Sequence, residues 1–355
     1  MVQQWMIYGA YGYTGELIAR EAVRRGLKPI LAGRSAQKLA SLAQELGLAT
    51  RAFDVASVGN ELDGIDVVLN CAGPFTATAE PLVNACIEAR AHYVDITGEI
   101  EVFQMCQRFD AQAKAVGVLL CPGAGFDIVP TDCLAATLKH RLPDAQAIDL
   151  AFSFGTRPSI GTVKTSIAGL QTGGLVRRDH QLKPVCNAYR IKRIAFPSAQ
   201  RWAMTIPWGD VFTSGVSTGV PNGMVFSSMP LAIAAVMWIT NPIRRLFSFK
   251  WVQRVATSAA ERVFDGGPDA ATRQSQRTEF WGEAVNSFGV RVSACMSAPN
   301  VYTLTADTAV EIAARCLAPL GKTGYVTPSM LLGHAFMTSR PGVQFEWIEG
   351  TSKAR

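Results

Sequence analysis

Trp5-Met-Ile-Tyr8-Gly9-Ala-Tyr11-Gly12-Tyr13-Thr14-Gly15 is the stretch whose reading decides the fold. Its first four residues are apolar, read as a short buried strand, and run straight into a Gly-x-x-Gly-x-x-Gly turn. Residues 14–25 then take up helical spacing, with Leu17, Ile18, Ala22 and Val23 on one side. A glycine turn between a strand and a helix is the context that gives this motif meaning. The first glycine allows the tight turn, the second lets backbone approach a pyrophosphate, and the third permits close helix-to-sheet packing. The pyrophosphate would rest on the helix N-terminus, where free N–H groups and the helix dipole favour an anion. Gly9, Tyr11, Gly12, Tyr13, Thr14 and Gly15 are therefore candidate contacts to a dinucleotide.

Working outward, strand and helix signals alternate. Residues 29–32 read as a second strand, and Ser35 caps a helix that Gly47 closes. Residues 51–53, 65–71, 93–96 and 118–121 supply four more strands, with helices over 81–89 and 100–115. Helices between buried strands imply an α/β, Rossmann-type, doubly wound parallel sheet. The second strand ends Ala32-Gly33-Arg34-Ser35, with Lys38 one helical turn on and no carboxylate present. An NAD site usually places Asp or Glu there for the ribose 2′-OH. Arg34 can instead pair with a 2′-phosphate or stack on adenine, while Ser35 and Lys38 add a hydroxyl and a charge. The expected cofactor is NADP(H). Asp54 and Val55 end the third strand, a usual neighbour of adenine. Ala72-Gly73-Pro74-Phe75 ends the fourth, beside the expected nicotinamide, although an ordinary strand-to-helix turn reads the same way.

The pattern changes after Pro122. A Gly-Pro-rich turn, PGAGFDIVPTD (122–132), leads to a helix near 131–140. Residues 148–154, 189–196, 202–207, 212–218 and 223–228 then read as strands of a largely antiparallel sheet. Residues 230–263 read as apolar and helical, 276–287 and 289–295 as two strands, and 305–318 as a helix. The domains expected are a Rossmann domain over 1–125, an α+β cover domain over 126–330 and a C-terminal segment, 331–355, with room to return to the first.

The 355 residues are 48% apolar and 17% charged, with a net charge of +6; such a chain buries a sizeable core. The eight cysteines include no C-x-x-C pair and the four histidines are scattered, so no zinc or disulfide framework is read. The start lacks a basic region followed by an apolar stretch with a cleavage site, and a cytoplasmic location is the expectation. Between Arg177 and Arg262, twelve Lys or Arg stand against three acidic residues. That face is open to two readings, a solvated surface or a site for anionic lipid, an acidic carrier or a phosphate-bearing substrate. Residues 229–240 carry no charge but are too short to span a bilayer, which takes about 20 residues. They read either as a buried helix or, with 241–254, as a peripheral contact at the inner face of a membrane.

GAYGYTG (9–15), AGR (32–34), NCAGPF (70–75), HYVDITGE (92–99), PGAGFDIVPTD (122–132), IGTVKTSIAGLQTGG (160–174) and IPWGDVFTSGVSTGVPN (206–222) occur together. This set resembles the saccharopine dehydrogenase-like oxidoreductases, most closely their trans-acting enoyl reductase branch. The resemblance implies a Rossmann domain with an α+β domain. It also implies NADPH-dependent reduction of a carbon–carbon double bond in a polyketide, prenyl or lipid-like substrate, free or carrier-bound. Two other readings stand beside it: reduction of a C=N bond, as in saccharopine reductases, and a non-catalytic NADPH-binding sensor or scaffold. Hydride transfer needs little acid–base machinery. Tyr93 and Asp127 are the candidate catalytic groups, with Asp95, Glu99 and Asp132 read as helix caps or neighbours. Thr162, Lys164 and Thr165 are candidates from the second domain. Trp202, Trp208, Phe212, Met224, Phe226 and Met229 are candidate walls of an apolar pocket. No nucleic-acid partner is expected, and the sequence leaves room for a homodimer.

Overall fold

The four apolar residues before the glycine turn form β1 (Trp5–Tyr8), wholly buried. They lie between β2 (Ile30–Gly33) and β4 (Val67–Asn70), parallel to both. The computed structural model describes residues 4–154, 171, 173–249, 251, 252, 254, 258 and 276–348. The chain packs as two units, Met1–Cys133 with Val301–Phe336, and Leu134–Asn300 with Met337–Arg355.

In the first unit β3 (Thr50–Ala52), β5 (His92–Asp95), β6 (Leu119–Cys121) and β15 (Gly324–Tyr325) complete a seven-stranded parallel sheet in the order β15-β6-β5-β4-β1-β2-β3. Strands 3-2-1-4-5-6 are in the Rossmann order, with β15 added beyond β6. The strands are near-continuous apolar runs because helices cover both faces. The connecting helices are α1 (Tyr13–Arg24), α2 (Ala36–Leu46), α3 (Phe75–Ala89), α4 (Ile100–Arg108) and α5 (Asp110–Val116). α2 starts where Ser35 Oγ accepts the Lys38 N–H and stops at left-handed Gly47. α3 starts at Phe75, six residues before the expected helix, and carries Pro81 in its interior.

The expected domain limits are corrected. Residues 301–330, expected in the second domain, join the first, where α9 (Val301–Leu317) packs on α1. Arg25 ties the two helices, reaching Asp307 at 2.6 Å and Glu311 at 3.1 Å. Leu304, Val310 and Ile312 are fully or nearly fully buried. At about 1.5–3 kcal/mol for each large aliphatic side chain, these three contribute on the order of 5 kcal/mol. Gly324 and Tyr325 pair with Leu119 and Leu120 of β6. The last segment goes the other way: β16 (Gln344–Ile348) pairs antiparallel with β14 (Arg291–Ala298) in the second unit.

The second unit is a nine-stranded mixed sheet. Its main path is β10 (Ile191–Ala195), β11 (Gln200–Thr205), β12 (Asn222–Ser228), β7 (Ala145–Ser153), β13 (Thr278–Asn286), β14 and β16, with β8 (Gly174–Arg178) and β9 (Gln181–Val185) off it. The pairings are antiparallel except β12 with β7. α6 (Val129–Arg141) contributes Leu134 and Leu138, which pack where a side chain on Gly282 would stand. Residues 212–218, expected as a strand, are helix α7 (Asp210–Thr218). Ser214 donates back to the Asp210 carbonyl at 2.5 Å and left-handed Gly219 ends the helix, so local polar bonds and packing override β-branched composition. α8 (Leu231–Ile239) and a 3-10 turn (Asn241–Ser248) replace the expected long helix among the described residues. No helix among the described residues is long and apolar enough to cross a membrane.

Candidate cofactor and active site

The turn after β1 is held by its own backbone. The amides of Gly9 and Ala10 both donate to the Ala32 carbonyl, at 2.8 and 3.1 Å, and Gly12 donates to Gly9. Gly9 has φ +82°, and a Cβ there would lie 2.8 Å from the Ala72 amide nitrogen. A Cβ on Gly15 would lie 2.3 Å from the Gly9 carbonyl oxygen. The first and third glycines therefore let β1, α1 and the end of β4 close on one another. Gly12 is the N-cap of α1 and offers no side-chain cap. The first N–H groups of a helix lack intrahelical acceptors, so this end is ready for a pyrophosphate. Thr14 is half-buried in that first turn, and exposed Tyr13 meets Tyr302 edge-on, ring centroids 4.9 Å apart.

At the end of β2 the Tyr11 ring lies against Gly33: a Cβ there would be 2.7 Å from Tyr11 Cε1. The Lys38 ammonium stands 5.6 Å from the same ring's centroid. Arg34 is exposed beside them, and Ser35 is bound to α2's first turn. Tyr11, Gly33, Arg34, Ser35 and Lys38 thus gather a flat ring, a hydroxyl and two cations at one strand end. An adenosine bearing a 2′-phosphate needs these groups. Asp54 follows β3, where its carboxylate accepts the Ala56 N–H at 2.9 Å and caps a 3-10 turn starting at Val55.

The ends of β4, β5 and β6 are joined by a buried polar network. Asn70 Nδ2 donates to Thr78 at 3.1 Å and to the Tyr93 hydroxyl at 3.2 Å, while its Oδ1 accepts the Ala72 amide. Tyr93 donates to Asp95 at 2.9 Å. Asp95 also accepts the amides of Thr97 and Gly123, which ties the loop after β5 to the loop after β6. Burial pushes the Asp95 carboxyl up to about 6 against the effect of these donors. Glu99 spans the next gap: its two oxygens accept the Phe75 and Thr76 amides at 3.0 and 2.8 Å. Those contacts, rather than a side chain of Pro74, cap α3 and hold the Ala72-Gly73-Pro74-Phe75 turn.

Asp127 lies in the loop after β6, at the carboxyl edge where doubly wound sheets bind ligands. A Cβ on Gly98 would come 3.2 Å from its Oδ2. Burial pushes the Asp127 carboxyl up to about 7. The loop is pinned from α9, since Thr305 Oγ1 accepts the Phe126 amide and Thr308 donates to the Ala124 carbonyl.

Residues 5–121 match the family model of the saccharopine dehydrogenase NADP binding domain. They belong to that family. The glycine turn and the Tyr11–Arg34 strand end fit the cofactor: a side chain on Gly9 or Gly15 would meet backbone, and no carboxylate stands at Arg34. A rat saccharopine dehydrogenase-like oxidoreductase is 27% identical over 231 residues, covering 57% of this chain and 53% of that protein. A Mycobacterium tuberculosis protein named putative trans-acting enoyl reductase is 30% identical over 186 residues, 47% of this chain and 44% of that one. The chain spans about half the length of the curated relatives it matches. Apo saccharopine dehydrogenase from Saccharomyces cerevisiae has the same fold, with TM-score 0.66 over 98% of this chain and 100% of that one at 10% identity.

Beside this NADP-binding domain the other expected residues fare unevenly. Tyr93 is fully buried and its hydroxyl is committed to Asn70 and Asp95, so its expected place as a polar group of the pocket is corrected to one inside the strand-end network. Asp132 lies within α6 rather than ahead of it, and accepts the Ser329 amide at 2.8 Å. Thr162, Lys164 and Thr165 lie outside the described residues. The six expected wall residues do not share one face. Register puts Met224 and Phe226 on the side of the sheet that carries Lys192, whereas Met229 packs near Met204 and Trp208 against the Phe152 ring. Phe212 is in α7. Glu99 is expected as a helix neighbour beside the strand-end candidates and Asn70 as part of the fourth strand's end, whereas Thr78 is not expected at the site. Asn70 had a signal, an amide ending an otherwise apolar strand; Thr305 and Thr308 had none, as their partners lie about 180 residues away.

Proposed function

We propose that the chain is an NADPH-dependent reductase that adds hydrogen across a carbon–carbon double bond of a hydrophobic acyl, polyketide or prenyl substrate. The observation that carries the reading is the strand end at Gly33-Arg34-Ser35, where Arg34 stands exposed beside Tyr11 and Lys38 and no carboxylate selects a free ribose. When bound, NADPH supplies hydride. The chain's own part is to hold the dinucleotide and to deliver one proton. Gly9, Gly12 and Gly15 give the pyrophosphate its backbone seat, and Arg34, Ser35 and Lys38 take the 2′-phosphate. Asp127, near half protonation at neutral pH, donates a proton to the carbon left electron-rich after hydride adds to its neighbour. Asp95 and Glu99 position the loops that carry this chemistry. The double-bond substrate is favoured by likeness to the relative named putative trans-acting enoyl reductase.

The test is loss of NADPH absorbance with an enone or enoyl thioester, compared with a carbonyl–amine pair in equilibrium with its imine. Turnover of the alkenes alone is expected. Turnover of the imine alone would make the chain a C=N reductase, and tight NADPH binding without turnover on any acceptor would make it a sensor.

A further inference from the structure

α8 reads Leu-Ala-Ile-Ala-Ala-Val-Met-Trp-Ile, without a polar residue. A helix apolar all round is ordinarily buried in protein or in lipid. Among the described residues, protein packs on one side of it. Ala234 is buried with Ala188 and Met204, and Met229 and Met237 close the contact. The far end is clamped: Asn241 Nδ2 donates to the Asn187 carbonyl at 2.9 Å and its Oδ1 accepts the Asn187 amide at 2.7 Å. The element is therefore fixed on its sheet while its outer side faces water.

That outer side is large. Among the described residues, nine of the fifteen exposed large apolar side chains fall between Leu231 and Trp251. Trp238, Ile239 and Trp251 are 58%, 65% and 66% exposed. An apolar patch this concentrated marks an interaction surface. Its charge narrows the partner. No Asp or Glu occurs from 211 to 260, while Arg244, Arg245, Lys250 and Arg254 fall inside or next to the apolar stretch. Aromatic side chains interleaved with cations suit the headgroup boundary of a bilayer: rings and aliphatic chains enter the acyl edge, and cations meet phosphate and anionic headgroups. At 1.5 Å per residue α8 is about 13 Å long, against about 30 Å of hydrocarbon. It can lie in one leaflet and cannot cross.

We propose that residues 231–249 with Trp251 are a docking surface for an anionic phospholipid membrane, entering one leaflet without spanning it. The test is co-sedimentation of the full chain with phosphatidylcholine vesicles, with and without phosphatidylserine, at low and high salt. Binding to the phosphatidylserine vesicles is expected, weakening as salt rises. Trp238→Ser with Ile239→Ser should lower partitioning at least about tenfold, since two large apolar side chains leave the lipid. Arg244→Gln with Arg245→Gln should lower it about thirtyfold on phosphatidylserine vesicles, from about 1 kcal/mol per basic residue, with little change on phosphatidylcholine. Unchanged circular dichroism and unfolding midpoints check that the variants fold. In the unmodified chain, lipids brominated on the acyl chains should quench tryptophan emission. Failure to bind phosphatidylserine vesicles, binding that survives Trp238→Ser with Ile239→Ser, or absence of quenching overturns the proposal. So does lipid-free self-association that the same variant abolishes, which would assign the surface to a second copy of the chain.

Discussion

Replacing Asp127 with Asn removes a carboxyl while keeping its shape, and the consequence can be worked out with its sign. Burial raises this carboxyl from its ordinary 3.8 to about 7. The folded chain therefore holds a proton there, between about pH 4 and 7, that the unfolded chain has released. Stability falls with pH wherever the folded state binds more protons. Unlike a salt-bridged carboxylate, Asp127 is thus harmless to stability below about pH 4 and costs progressively more up to about pH 7, where the loss levels off. At about 1.4 kcal/mol per pH unit the rise sets an upper limit of about 4 kcal/mol, and water access at a half-buried carboxyl brings the expected value to about 2 kcal/mol. Urea unfolding of both proteins across this pH range measures it. Asp127→Asn should gain on the unmodified chain as pH rises from about 5 to 7 and then hold a constant lead. A difference that does not change with pH would refute the burial argument. The same titration governs the proposed chemistry: turnover by the unmodified chain should fall as pH rises through about 7, and Asp127→Asn should be slow at every pH.

Other expectations follow from single contacts. Gly15→Ala would drive a Cβ to within 2.3 Å of the Gly9 carbonyl oxygen. The opposing atom is backbone, so the turn must open, and fluorescence titration should show NADPH affinity down more than about tenfold. Arg25→Ala removes the half-buried pairs with Glu21, Asp307 and Glu311 that help hold α9 on α1. A loss of about 1–2 kcal/mol by urea unfolding is expected, shrinking in high salt. Glu99→Gln weakens the cap on the Phe75 and Thr76 amides, which should cost about 1 kcal/mol and raise hydrogen exchange at the start of α3.

The first 121 residues were legible because local rules governed them. Buried parallel strands are short apolar runs, and Ser35 and Gly47 mark the ends of α2 by their own side-chain and backbone chemistry. Legibility failed where distant contacts decide. Nothing near residue 301 says that α9 will return to the sheet; its evidence is Arg25 meeting Asp307 and Thr305 meeting Phe126. β15 is two residues long, placed by register with β6 and by Asp110 accepting the Tyr325 amide. Residues 212–218 look like a strand by composition and form a helix by capping and packing. At the site, the sequence marks Tyr93 and Asp127 as polar residues near strand ends, but only coordinates separate the one sealed in a network from the one held beside Gly98.

The most direct test of the account is calorimetric titration of the chain and of Arg34→Ala with NADPH and with NADH. A charge-assisted contact to the 2′-phosphate is worth about 1.5–3 kcal/mol, so NADPH should bind the unmodified chain at least about tenfold more tightly than NADH. In Arg34→Ala that preference should collapse, through weaker NADPH binding with NADH little changed. Equal affinity for the two cofactors in the unmodified chain, or equal losses for both in the variant, would contradict it.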